Sequence, residues 1–212
     1  GIKPSIGHVC LYTGLKAERK DFNTGNGNIW VYPDYNYEKT LSNYLRNPDS
    51  ELPLVYISFP SFKDPDWEIN YPGKSTIDVI VPASYEWFKK WKDEPWRKRG
   101  DEYNALKQKF SERLLDYVYK YVPGTKGKVD YYELSTPLST EYFNNYQHGE
   151  LYGLDHTPGR FSEKWMKPRS PIENLFISGQ DILFAGVASA LASGGMTATE
   201  MLGVKIMKAL FN

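Results

Sequence analysis

Residues 174–195 read Asn174-Leu175-Phe176-Ile177-Ser178-Gly179-Gln180-Asp181-Ile182-Leu183-Phe184-Ala185-Gly186-Val187-Ala188-Ser189-Ala190-Leu191-Ala192-Ser193-Gly194-Gly195. The apolar run Leu175-Phe176-Ile177 predicts a short buried strand. A turn holding Gly179 and Asp181 follows. A stretch of small and apolar residues from Val187 to Leu210 then has the length of a helix. A strand, a glycine turn, an acidic residue and a helix of small residues suit a phosphate-bearing cofactor. The helix N-terminus offers unpaired N–H groups and partial positive charge to an anion or an electron-rich carbonyl. A carboxylate beside it accepts hydrogen bonds from hydroxyls. The plainer alternative is a core helix packed on a sheet, with glycine for close approach.

Working outward, the rest of the chain predicts strands joined by short connections. Strands are expected at His8–Leu15, Asn28–Tyr32, Leu54–Phe59, Ser75–Val81 and Val129–Leu134. In the fourth, Ile77, Val79 and Val81 alternate with Thr76, Asp78 and Ile80, the pattern of a half-buried strand. Short connections favour an antiparallel sheet. Helices are expected at Tyr37–Leu45, at Ser84–Asp93 with Ser84 as cap, from about Gly100 to Pro123, and at Thr140–Tyr146. Lys63–Gly73 and Gly149–Ser170, rich in Pro and Gly, read as loops.

Composition excludes several classes. The chain has 212 residues, 41% hydrophobic and 25% charged, which is enough to bury a core. Lys plus Arg and Asp plus Glu are both 26, and the one basic tract, Trp96-Arg97-Lys98-Arg99, is short, so no nucleic-acid partner is expected. The single cysteine, Cys10, excludes a disulfide framework and reads as a buried inert thiol. The 17 tyrosines and 6 tryptophans suit either a pocket for a flat apolar ligand or a β-rich core. The three histidines, His8, His148 and His156, have no metal-ligand spacing, so no metal is expected. No Gly-x-Ser-x-Gly occurs, and no acid–base constellation singles out a catalytic residue. Asp155-His156 is the best polar pair, although adjacent side chains usually point apart.

A series of short pieces, in order along nearly the whole chain, resembles one flavoprotein family. They are His8-Val9-Cys10-Leu11-Tyr12; Phe59-Pro60-Ser61 with Lys63-Asp64-Pro65 and Trp67-Glu68; Val81-Pro82-Ala83; Glu86-Trp87-Phe88; and Lys98-Arg99-Gly100. Ser135-Thr136-Pro137-Leu138-Ser139 before Tyr142 follows, then Gly149, Tyr152-Gly153, Asp155-His156, Pro171-Ile172 and Gly179-Gln180-Asp181. The chain resembles the carotenoid desaturase and isomerase group, and within it the retinol saturase branch.

That resemblance implies an α+β fold. Residues 1–148 would be part of an antiparallel-sheet substrate domain with flanking helices. Residues 149–212 would be a returning loop and the C-terminal strand and helix of an FAD-binding α/β domain. The N-terminal Rossmann part, with its G-x-G-x-x-G turn, has no counterpart here, so a C-terminal fragment without tightly bound FAD is expected. The implied cofactor is FAD, with NAD(P)H as an electron donor. The implied contacts are Gly179, Gln180, Asp181, Gly186 and Val187 for the flavin, and Tyr152, Gly153 and His156 for the substrate pocket.

The implied reaction saturates a double bond of all-trans-retinol. Carotenoid isomerisation or desaturation, and a non-catalytic module for apolar ligands, are the alternatives. A retinoid or carotenoid-like substrate, self-association through a face left open, and membrane association of a longer protein are the expected partners. The expected compartment is the endoplasmic reticulum membrane for eukaryotic members, otherwise cytoplasm or plastid.

Overall fold

A computed structural model describes residues 1–25 and 27–206. The chain divides into two compact units: Gly7–Gly149 is one, and Gly1–Ile6 with the chain from Glu150 onward is the other.

In the larger unit, β1 (Gly7–Leu15), β2 (Ile29–Val31), β3 (Val55–Ser58), β4 (Ser75–Ala83) and β5 (Val129–Ser135) form one sheet in the order β2-β3-β4-β1-β5. Every pairing is antiparallel, and β1 pairs with β4 from Gly7 opposite Ala83 to Leu15 opposite Ser75. Period-two alternation puts Val9, Leu11 and Leu15 on one face with Ile77, Val79 and Val81, all buried. Thr13 shares this face because its hydroxyl donates to the Ile77 carbonyl at 2.7 Å, so no buried donor is left open.

The helices complete the core. α1 (Tyr37–Arg46) buries Tyr44 edge-on against Trp87, with ring centroids 5.1 Å apart. α2 (Trp67–Asn70) is a single turn inside the expected Lys63–Gly73 loop. α3 (Gly100–Tyr121) places Phe110, Leu114 and Val118 at helical spacing in the same core as the strands. Each such side chain is worth about 1.5–3 kcal/mol when fully buried. α4 (Pro137–Asn144) begins three residues before the expected Thr140. The reason is local: Thr136 and Ser139 form a capping box, and Pro137 suits the first helical position. Gly149 closes the unit at φ +58, where a Cβ would fall 2.6 Å from the Pro137 carbonyl carbon, so only glycine fits.

The helix expected at Ser84–Asp93 is instead two 3₁₀ turns, Tyr85–Trp87 and Lys89–Trp91. Ser84 does cap, accepting the Glu86 N–H at 3.3 Å. Tyr85, Phe88 and Trp91 all pack on the core, and a three-residue repeat aligns them in one row as an α-helix would not.

The second face of the sheet mixes apolar and polar side chains, with Cys10 and Ile80 beside Tyr12 and Asp78. Burial pushes the Cys10 thiol and the Tyr12 phenol up to about 12, and the buried thiol matches the inert reading. Asp78, opposite Tyr12 on β4, is also raised by burial, against the pull of Lys63. A carboxyl raised in the folded state contributes stability that is full below its unfolded pKa and is lost as pH rises through the folded value. Asp78→Asn should therefore show a higher urea midpoint than wild type at pH 7. That gain should vanish below the ordinary carboxylate range, and an equal gain at both pH values would contradict it.

The smaller unit has α5 (Pro158–Phe161), α6 (Val187–Leu202) and two isolated bridges, Pro4 with Leu154 and Arg169 with Phe176. The buried strand expected at Leu175–Ile177 is not there. Only Phe176 bridges, and Leu175 and Ile177 are each 46% exposed. The helix expected to reach Leu210 ends at Leu202, and residues 207–210 lie outside the described residues.

α6 also faces the other way from a core helix. Its buried residues are Ser193 and Thr197. Ser193 accepts the Gly179 N–H at 2.9 Å, and Thr197 donates to the Ile177 carbonyl at 3.1 Å. One turn on, Glu200 accepts Arg169 Nε at 2.6 Å. A polar stripe docks the helix, and Val187, Leu191 and Leu202 stay exposed.

Candidate functional site

The smaller unit brings the expected site residues together around a residue the sequence reading passed over. Arg160 sits in α5, a single turn capped by the Thr157 hydroxyl and opened by Pro158. It is 1% exposed. Its Nη1 donates to the Leu154 carbonyl at 2.8 Å. Its Nη2 donates to the carbonyls of Gln180, Asp181 and Leu183 at 2.9, 3.0 and 3.2 Å. No carboxylate lies within ion-pair distance of it among the described residues. Carbonyl dipoles therefore hold this buried cation, and the cation in turn fixes the path of the turn before α6. The faint signal in the sequence was the Thr157-Pro158 helix start three residues ahead of an arginine.

Asp181 accepts the Leu154 N–H at 2.9 Å and presses on Gly153. Gly153 has φ +65, and a Cβ there would fall 2.9 Å from Asp181 Cγ, so both backbone and contact demand glycine. Asp181 is not the cap of α6. The residue before that helix is Gly186, and no side chain caps it.

His156 faces the same turn. Its Nε2 accepts the Ala185 N–H at 2.8 Å, and Nδ1 lies 3.1 Å from Arg160 Nη1. The Asp155 carboxylate accepts the His156 backbone N–H at 3.0 Å, so it shapes the chain and does not orient the imidazole. Tyr152 lies edge-on to His156 at 6.5 Å, and Phe161 contacts both His156 and Phe184. Residues 152–156 and the 179–185 turn are thus one hydrogen-bonded cluster. Gly186 and Val187 lie beyond it, with Val187 88% exposed at the open first turn of α6. An uncapped helix start presents N–H groups and partial positive charge to an anionic or electron-rich group.

No family model matches the chain. Relatives do. Over 208 residues it is 33% identical to the all-trans-retinol 13,14-reductase of Homo sapiens, covering 95% of this chain and 34% of that protein. Over 201 residues it is 32% identical to the enzyme of the same name from Danio rerio, covering 92% and 33%. The chain is a relative of the all-trans-retinol 13,14-reductases. It spans about a third of the length of those relatives. A Danio rerio protein named an inactive all-trans-retinol 13,14-reductase is 27% identical over 212 residues, so the likeness extends to a member described as lacking the activity.

Proposed function

We propose that this chain is part of an FAD-dependent oxidoreductase that saturates a double bond of all-trans-retinol or a similar conjugated isoprenoid alcohol. The observation that carries the reading is the 33% identity over 95% of the chain to a named retinol 13,14-reductase. The residues fit a flavin in one respect that can be inspected: α6 starts at Gly186 without a capping side chain and with Val187 exposed.

Flavin, when bound, supplies the electron pair. The chain's own residues do the rest. N–H groups at Gly186 and Val187 stabilise negative charge at the helix start. Asp181, Gln180 and Gly179 sit in the turn that would hold the cofactor's polyol side. Arg160 keeps that turn in place. Tyr152, Gly153 and His156 form the adjoining wall, where an apolar substrate would lie. Saturation adds hydride to one carbon and a proton to the other, and a phenol, an imidazole or water can deliver the proton.

In this reading the exposed apolar residues of α6 are a surface for self-association or for further protein. No described helix is long and apolar enough to cross a membrane. Association with the endoplasmic reticulum membrane, and an NAD(P)H donor, belong to the proposal for a longer protein. A second reading, a non-catalytic module for apolar ligands, is favoured by the relative named inactive.

This chain alone should not retain flavin, because it lacks the G-x-G-x-x-G turn that grips the pyrophosphate. The purified chain should show no absorbance band at about 450 nm. A yellow protein would contradict that expectation.

A further inference from the structure

We propose that the cleft between β5, α4 and the Trp96-Arg97 turn of the larger unit binds a small ligand with a flat apolar body and a carboxylate or phosphate group. Its walls include no residue of the cluster around Arg160, and the proposal does not depend on the reductase reading.

The cleft measures about 440 Å³, within the size of small-molecule sites, and its walls include His8, Trp96, Arg97, Glu133, Ser139 and Phe143. Trp96 and Phe143, 4.9 Å apart, make an aromatic wall. On the wall itself Arg97 is matched by Glu133, and the further cations, Arg99 and Lys107, lie outside the lining. The guanidinium carbons of Arg97 and Arg99 lie 5.9 and 5.8 Å from the Trp96 ring centroid. Arg99 and the Lys107 ammonium lie 5.3 and 5.9 Å from that of Tyr103. Three cations are therefore strung along two neighbouring rings. Among the described residues, none of them is within ion-pair distance of a carboxylate.

Arg99 is 8% exposed, its Nε has no hydrogen-bond partner, and its Nη1 reaches the Tyr103 hydroxyl only at 3.5 Å. Burial lowers the affinity of Lys107 for its proton; Glu133 opposes this, and Arg99 and Arg97 add to it. Glu133, on the cleft wall, accepts the Tyr131 hydroxyl at 2.8 Å. In the first turn of α3, beside Asp101, Glu102 is engaged by Lys90 at 2.6 Å.

The field of such a group of cations concentrates anions in an adjoining cleft. Arg97 is the cation on the wall itself, and it holds a left-handed backbone with φ 63, a conformation that costs a non-glycine residue free energy. His8 lines the cleft as well, and its burial favours the neutral ring. Ser139 adds a hydroxyl.

Isothermal titration of the purified chain at pH 7 and low salt tests this with 2-naphthoate, 2-naphthyl phosphate and the neutral 2-naphthylmethanol. At least one anion should bind about ten times tighter than the alcohol, and which one does so separates carboxylate from phosphate. Its affinity should fall with added salt. Arg97→Gln, a change at an exposed side chain, should weaken it about tenfold while the circular dichroism stays unchanged. Equal binding of the alcohol, salt-independent binding, or no heat from either anion would overturn the proposal, and so would full affinity in Arg97→Gln.

Discussion

Replacing Arg160 by alanine should lower the stability of the chain by about 3–5 kcal/mol, the cost of taking one member out of a buried polar cluster. The guanidinium is 1% exposed and holds four carbonyls, those of Leu154, Gln180, Asp181 and Leu183. Without it those oxygens lose their donors and a cavity opens between the 154 strand bridge and the 180–183 turn. Arg160→Lys should recover only part of the loss, since an ammonium cannot span two sets of acceptors as a planar fork does. Arg169→Ala is the comparison. Arg169 also bonds at 2.6 Å, to Glu200, but the two side chains are 54% and 43% exposed, and such a pair is worth about 0–1 kcal/mol. Urea unfolding of the three variants measures the difference. An Arg160→Ala midpoint equal to that of Arg169→Ala would refute the central place given to this arginine.

Gly153→Ala should cost about 2–4 kcal/mol, from a left-handed backbone and from a collision with Asp181. The two parts can be separated. In an Asp181→Ala background the collision is gone, and the cost of Gly153→Ala should drop to about 1–2 kcal/mol, the backbone part alone. Simple additivity of the two substitutions would mean that Asp181 does not lie against residue 153 in solution. The same pair bears on the cofactor proposal. Asp181 already accepts the Leu154 amide at 2.9 Å, so Asp181→Asn in a flavin-loaded longer protein should weaken both this link and flavin retention. The retention loss should be about 1–3 kcal/mol for a charge-assisted hydrogen bond.

The sheet was legible because alternation is a strong signal where one face is buried. Ile77, Val79 and Val81 against Thr76, Asp78 and Ile80 fixed both the strand and its inward face, and the burial pattern of β4 alternates throughout. α3 was legible from Phe110, Leu114 and Val118 for the same reason, at the helical period. Errors arose where local sequence does not decide. Leu175-Phe176-Ile177 is apolar enough for a buried strand, but a strand needs neighbours, and among the described residues only Arg169 pairs with it. α6, for which a core helix was the plainer alternative, docks by Ser193, Thr197 and Glu200, three residues one turn apart, that its apolar average conceals. The site was half legible. Gly153, His156 and Asp181 were chosen, and they do converge. Arg160 was not, because the Thr157-Pro158 helix start ahead of it does not by itself distinguish a buried arginine from an exposed one.

The most direct measurement of the proposed function is product analysis with the longest polypeptide that contains this sequence, purified with FAD and given all-trans-retinol and a reductant. Chromatography should reveal 13,14-dihydroretinol in amounts that grow with enzyme, and Arg160→Ala should lose product and bound flavin together. Flavin retained by a correctly folded protein with no dihydro product from retinol would contradict the reductase assignment.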